Sequence, residues 1–159
     1  VTLIRLLSAI PPFSSLNDAQ LASVVTCCRQ HDFAAGEAIY QQNTPAHKLY
    51  IIIEGLVSLD DVVPDTPAMI SFERRGPKEI FGGASLLGFK AYSLTANCLE
   101  PTSVIEIDIP CLEEIFAQHP EVGLRIMAEV ATIYFKRYDR AKQRLYNVFR
   151  EIPVRLICR

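Results

Sequence analysis

Apolar positions along this chain change their period, and the changes mark out its segments. Leu3, Leu6, Leu7 and Ile10 recur at helical spacing and stop at Pro11-Pro12. Asn17 is placed to cap a helix through Leu21, Val24 and Val25. From Arg29 to Asp108 the pattern becomes short and strand-like. The predicted strands are His31 to Phe33, Ala38 to Tyr40, Leu49 to Glu54, Leu56 to Val62, Ala68 to Arg74, Ser93 to Leu99 and Ser103 to Asp108. Turn signals separate them, among them Ala35-Gly36, Glu54-Gly55, Gly76-Pro77 and Gly82-Gly83. Tyr50 to Ile53 is continuously apolar rather than alternating, which predicts a central strand. Many short strands with regular turns predict an antiparallel barrel or sandwich.

The helical period then returns. Pro110 to Phe116 reads as a short helix with proline in its first turn. Pro120 opens a stretch with no helix breaker before Pro153 except Gly123 in its first turn. About 30 residues at 1.5 Å each span about 45 Å, more than a small barrel needs to cover itself. Along it, Met127, Ala131, Tyr134, Tyr138, Ala141, Leu145 and Val148 alternate four- and three-residue steps, the a/d pattern of a coiled-coil seam. Ile126, Val130 and Ile133 widen the apolar face only in the first half, so that half is expected to pack on the barrel as well. In the second half Lys136, Arg137, Arg140, Lys142 and Arg144 flank the seam. A seam that outlasts its flanking apolar residues predicts a homodimer through this helix.

Composition narrows the function classes. Half of the 159 residues are hydrophobic, 21% are charged and the net charge is −2. This is a globular chain and, as a whole, not a basic nucleic-acid binder. Its mean hydropathy of +0.18 leaves apolar surface for a partner subunit. No apolar run approaches the roughly 18 residues of a membrane helix, and no signal peptide is evident. The opening Val implies that something upstream has been removed. The five cysteines, Cys27, Cys28, Cys98, Cys111 and Cys158, are odd in number and two are adjacent. They read as a poor disulfide framework and point to a reducing, cytoplasmic setting. No Gly-x-Ser-x-Gly, Walker or His-Glu-x-x-His pattern occurs, and the chain reads as a non-enzyme. Asp60-Asp61 and Glu113-Glu114 read as solvated faces, and Cys27 and Cys28 as packed residues at a helix end.

Three local patterns, in their order and spacing, carry a resemblance. They are Phe33 to Glu37 followed by Ile39-Tyr40, the run from Leu49 to Val57 with Gly55 between two strands, and Phe81 to Leu87 followed by Thr95 and Ala96. Together they resemble the cyclic-nucleotide-binding domain, and the long helix resembles the central helix of the Crp/Fnr transcription regulators. The resemblance implies an antiparallel β-roll of the jelly-roll kind over residues 1–119, with N-terminal helices. It implies a dimerisation helix over 120–149. It also implies a hinge with the start of a missing DNA-binding domain over 150–159, where Pro153 looks like the first turn of a new helix.

The implied ligand site is the cassette Phe81, Gly82, Gly83, Ala84 and Ser85 with Tyr92, Ser93 and Thr95. Backbone N–H groups at such a strand-to-turn junction suit an anion. In the family a Glu holds the ribose hydroxyl and an Arg neutralises the cyclic phosphate. Aligned without gaps, these positions are Gly83 and Tyr92, while Thr95 matches the last hydroxyl. Each lost charge-assisted bond costs about 1.5–3 kcal/mol, so the usual mode of cyclic AMP binding is not expected.

The effector is left open between a cyclic nucleotide held by substitute basic residues such as Lys90 and another small molecule. The cassette also resembles that of the 2-oxoglutarate-binding nitrogen regulators, although Tyr92 replaces their Arg. His31, His47, His119 and the cysteines do not form a recognisable haem or iron–sulfur pattern. A ligand-free dimerisation module is a further alternative. Tyr134 and Tyr138 read as seam packing rather than as pocket residues.

Overall fold

The computed structural model describes residues 2–151. Two short helices come first, α1 (Leu3–Ser8) and α2 (Asp18–Val25). Asn17 caps α2 as the sequence predicts: its side chain accepts from the Gln20 N–H, and the Gln20 side chain accepts in return from the Asn17 N–H. Eight strands follow: β1 (Cys28–Phe33), β2 (Ala38–Tyr40), β3 (Lys48–Glu54), β4 (Val57–Val62), β5 (Met69–Arg75), β6 (Ile80–Phe81), β7 (Thr95–Cys98) and β8 (Thr102–Asp108). They form two antiparallel four-stranded sheets, ordered β1-β8-β3-β6 and β2-β7-β4-β5, which face each other as a β-roll. Helices α3 (Ile109–Gln118) and α4 (Pro120–Glu151) complete the chain. The expected hinge and new helix from Pro153 lie outside the described residues.

β3 is the central strand that its apolar run predicts. It pairs with β8 on one side and β6 on the other. Leu49 and Ile51 join a core shared with the helices, including Leu21, Ile107, Leu112 and Ile126. Tyr50 and Ile52 point the opposite way, into the interior of the roll with Leu59, Phe81, Tyr92 and Val104. Gly55 turns β3 into β4 with φ +104°, and a Cβ there would stand 2.5 Å from the Thr102 hydroxyl. No side-chain-bearing residue fits that turn without displacing the start of β8.

Two expectations are overturned. Asp60 is buried rather than solvated, and its carboxylate accepts from Ser58 and Asn97. Cys27 and Cys111 form a disulfide across 84 residues. Counting cysteines along the chain missed it because the pairing is tertiary. The end of α2 and the first turn of α3 converge on the same edge of the helical core, with Cα atoms 5.6 Å apart. Cys28 and Cys98 are free and buried. Burial pushes the Cys28 thiol up to about 12, so it is no nucleophile at neutral pH.

Helix α4 changes role along its length. Val122, Ile126 and Val130 are buried in the core shared with β3 and β8, and Gly123 lies against Phe116 of α3. Beyond Val130 no described residue of the helix is fully buried. Two arginines tie this second half to β5: Arg137 to the Glu73 carboxylate and Arg144 to the Phe72 carbonyl. At 1.5 Å per residue its 32 residues span about 48 Å. No described helix is long and apolar enough to cross a membrane.

Candidate functional site

The cassette begins where β6 ends. Gly82 takes φ +78° between Phe81 and a short 3-10 turn, Ser85–Leu87. Its Cβ would meet the Tyr50 ring at 2.9 Å and the Tyr40 ring at 3.2 Å, so the position demands glycine twice over. Above it opens a cavity of about 230 Å³. Gly82, Ala84 and Ser93 of the predicted set line it, together with Tyr40, Leu59, Leu87, Phe89, Leu94, Tyr134 and Arg137. The lining is mainly apolar, with Arg137 as its only charged side chain among the described residues.

The remaining predicted ligand residues lie elsewhere. Phe81 is fully buried beneath the cassette. The Thr95 hydroxyl accepts from the Gln42 N–H and faces away from this cavity. Ser85 sits on the short turn, outside the lining. Lys90 is exposed, and its backbone carbonyl accepts from Ala46.

Tyr92, expected at the ligand site, is built into the roll rather than aimed outward. Its ring stacks on Tyr40 at 3.7 Å between centroids. Its hydroxyl accepts from the Lys48 N–H at 3.3 Å and donates to the Lys48 carbonyl at 3.1 Å. Tyr40, Tyr50, Phe81 and Tyr92 form one aromatic cluster. Burial pushes the phenols of Tyr40, Tyr50 and Tyr92 upward, so all three are neutral donors at ordinary pH.

Gly83 is covered from α4. A Cβ on Gly83 would stand 3.3 Å from the Tyr134 hydroxyl and 3.1 Å from Leu49. Tyr134 therefore lies against the cassette of its own chain, a contact that the seam pattern alone did not reveal. Arg137 stacks over the Tyr134 ring at 4.9 Å. Its guanidinium also grips Glu73 at 2.6 Å, and Glu73 is shared with Arg75 at the same distance. Sequence reasoning missed Arg137. The available signal was helical spacing: Val130, Tyr134 and Arg137 fall at i, i+4 and i+7 on the barrel-facing side.

Of the predicted seam, Met127, Tyr134 and Ala141 are partly covered, whereas Ala131, Tyr138, Leu145 and Val148 are exposed. Leu124, Phe135 and Phe149 are exposed beside them. Among the described residues, no group of three His, Cys, Asp or Glu side chains is placed to hold a metal ion. His31 stacks on Phe33 in β1, away from the cassette cavity.

The family model described as the cyclic nucleotide-binding domain matches residues 30–119. The chain is 23% identical over 145 residues to a CRP-like cAMP-activated global transcriptional regulator of Mycobacterium tuberculosis. That match covers 91% of this chain and 62% of the relative. Among solved structures, it resembles the N-terminal domain of a transcriptional regulator from Streptomyces coelicolor A3(2). The TM-score is 0.69 at 25% identity, covering 84% of this chain and 95% of that one. It also resembles a cyclic nucleotide-binding domain from Methylobacillus flagellatus, with a TM-score of 0.78 at 15% identity, covering 98% and 85%.

Proposed function

The chain belongs to the cyclic nucleotide-binding domain family, and from that premise we propose that it is the effector-sensing and dimerisation unit of a Crp/Fnr-like transcription regulator. Its cassette is one that does not take a cyclic nucleotide in the family's usual way. The observation that carries this reading is Tyr92. A residue stacked on Tyr40 and bonded twice to the Lys48 backbone is a wall, not a phosphate ligand. Tyr134 against Gly83 closes the position of the ribose-binding Glu. The effector that suits the remaining cavity is small and largely apolar, with at most one anionic group to meet Arg137.

The mechanism is a population shift. A ligand in this cavity touches Tyr134 and Arg137, so it favours one placement of α4 on the roll over another. The exposed apolar residues of α4, Leu124, Ala131, Phe135, Tyr138, Leu145 and Phe149, suit pairing with a second copy. Reorientation of that pair would carry the signal onward. DNA contact would come from a separate helix-turn-helix unit of a longer protein, and the chain itself would perform no catalysis.

Calorimetric titration with cyclic AMP and cyclic GMP tests the cassette. No heat at high micromolar ligand is expected, and one-to-one binding per chain would refute the reading. Analytical ultracentrifugation tests the pairing. A dimer that Phe135→Glu converts to monomer is expected, and a monomer at all concentrations would remove the dimerisation role.

A further inference from the structure

A second cavity, of about 250 Å³, lies on the other side of Arg137. It is formed between the β5–β6 turn and the flank of α4, and its lining is basic: Arg75, Lys78, Lys136, Arg137 and Arg140, with Glu79 and Glu129. Arg75 and Arg137 are already balanced by Glu73 and Glu79. Lys78, Lys136 and Arg140 make no ion pair among the described residues, and only Glu129 offsets them. The cavity thus carries a surplus of two positive charges in a chain whose net charge is −2.

Arg75 forms the buried part of this wall. The Arg75 side chain is 5% exposed and donates to Glu79 at 2.9 Å and to Glu73 at 2.6 Å through its terminal nitrogens. Its Nε–H is buried with no acceptor. Buried donors without partners are uncommon in folded proteins. An oxyanion drawn against this wall would give the guanidinium cluster a further acceptor.

We propose that this cavity binds a small phosphate-bearing molecule, and that the bound anion is coupled to the cassette cavity through Arg137. A phosphate monoester carries about −1.5 to −2 charge at pH 7, which matches the surplus. Lysines and an arginine converging on a concavity suit phosphate as point charges. The cations are gathered in a pocket rather than along a groove, so the ligand is a small molecule and not a nucleic acid strand. Glu129, Lys136 and Arg140 follow one flank of α4 at seven- and four-residue steps, away from Leu124, Ala131 and Tyr138. The site therefore stays open when two copies pair.

Arg137 is the shared wall. It lines both cavities, stacks over Tyr134 and shares Glu73 with Arg75. An anion in the basic cavity competes with Glu73 for this guanidinium and so alters its hold on Tyr134. By linkage, an effector in the cassette cavity changes anion affinity by the same factor. This coupling rests on the cassette cavity being the sensor site; the anion site itself does not.

The test is titration of the whole chain with pyrophosphate and with inorganic phosphate at constant ionic strength, followed by calorimetry and by NMR of the tyrosine rings. Saturable binding of one anion per chain is expected, weakened at least tenfold in the Lys136→Ala/Arg140→Ala double variant. Both residues are exposed, so the variant folds. Lys78→Gly is expected to weaken binding several-fold without lowering the melting temperature, because Lys78 holds a left-handed φ of 69° that glycine accepts freely. Binding that tracks ionic strength alone, or that survives both variants, overturns the site. Saturable binding that leaves the Tyr134 resonances unmoved overturns the coupling. Neither outcome depends on the cyclic nucleotide titration.

Discussion

The two faces of β3 meet two different cores. Leu49 and Ile51 enter an almost wholly aliphatic one, built with α2, α3, α4 and β8 and crossed at its edge by the Cys27–Cys111 disulfide. Tyr50 and Ile52 enter the interior of the roll, where Tyr40 stacks on Tyr92 and Tyr50 on Phe81. The aliphatic side has few polar groups, the Cys28 thiol and the Tyr134 hydroxyl at its margin, and holds the scaffold. The aromatic side ends in hydroxyls and glycines and borders the cavity. In this fold the site sits on the core that retains hydrogen-bonding groups, and the opposite core keeps that geometry in place.

This contrast can be broken from either side. The largest effect is expected from Ile107→Ala, which empties a fully buried position in the aliphatic core. A loss of about 2–5 kcal/mol in urea unfolding is expected. Cys111→Ser comes next. The bond closes a loop of 84 residues, and its loss is expected to cost about 2–4 kcal/mol. Dithiothreitol should lower the melting temperature of the parent chain and leave that of the variant unchanged.

On the aromatic side, Tyr92→Phe keeps the ring stack and removes both bonds to Lys48. A loss of about 1–2 kcal/mol is expected, with no gain of cyclic nucleotide affinity in calorimetry.

The smallest effect at ordinary pH is electrostatic. Tyr40, Tyr50 and Tyr92 all have phenol pKa values raised by burial. A raised folded-state value means that the native state holds its protons more tightly than the unfolded chain does. Their contribution is therefore complete below about pH 10, the unfolded value, and is lost as pH rises above it. Urea midpoints should be flat from pH 7 to 9 and fall steeply beyond 10, less steeply in Tyr92→Phe.

Most of the fold was legible along the chain because its signals are local. The capping box at Asn17, the continuous run Tyr50 to Ile53 and the unbroken stretch after Pro120 each act over a few residues. They correspond to α2, to the doubly buried β3 and to α4. The cassette was legible in part. Gly82 and Ser93 line the cavity, but Thr95 turns away because strand alternation sends its hydroxyl to Gln42.

By itself, then, the sequence determined the strands, the helices and the glycine turns. Local sterics, capping and burial period are written in neighbouring residues. Only the tertiary structure decided that Cys27 meets Cys111, that Tyr134 covers Gly83, and that Arg137 stands between two cavities with Glu73 as its anchor. Those facts depend on how α3 and α4 lie against the roll. That docking is set by the summed packing of residues far apart in the chain, and no spacing along the chain encodes it.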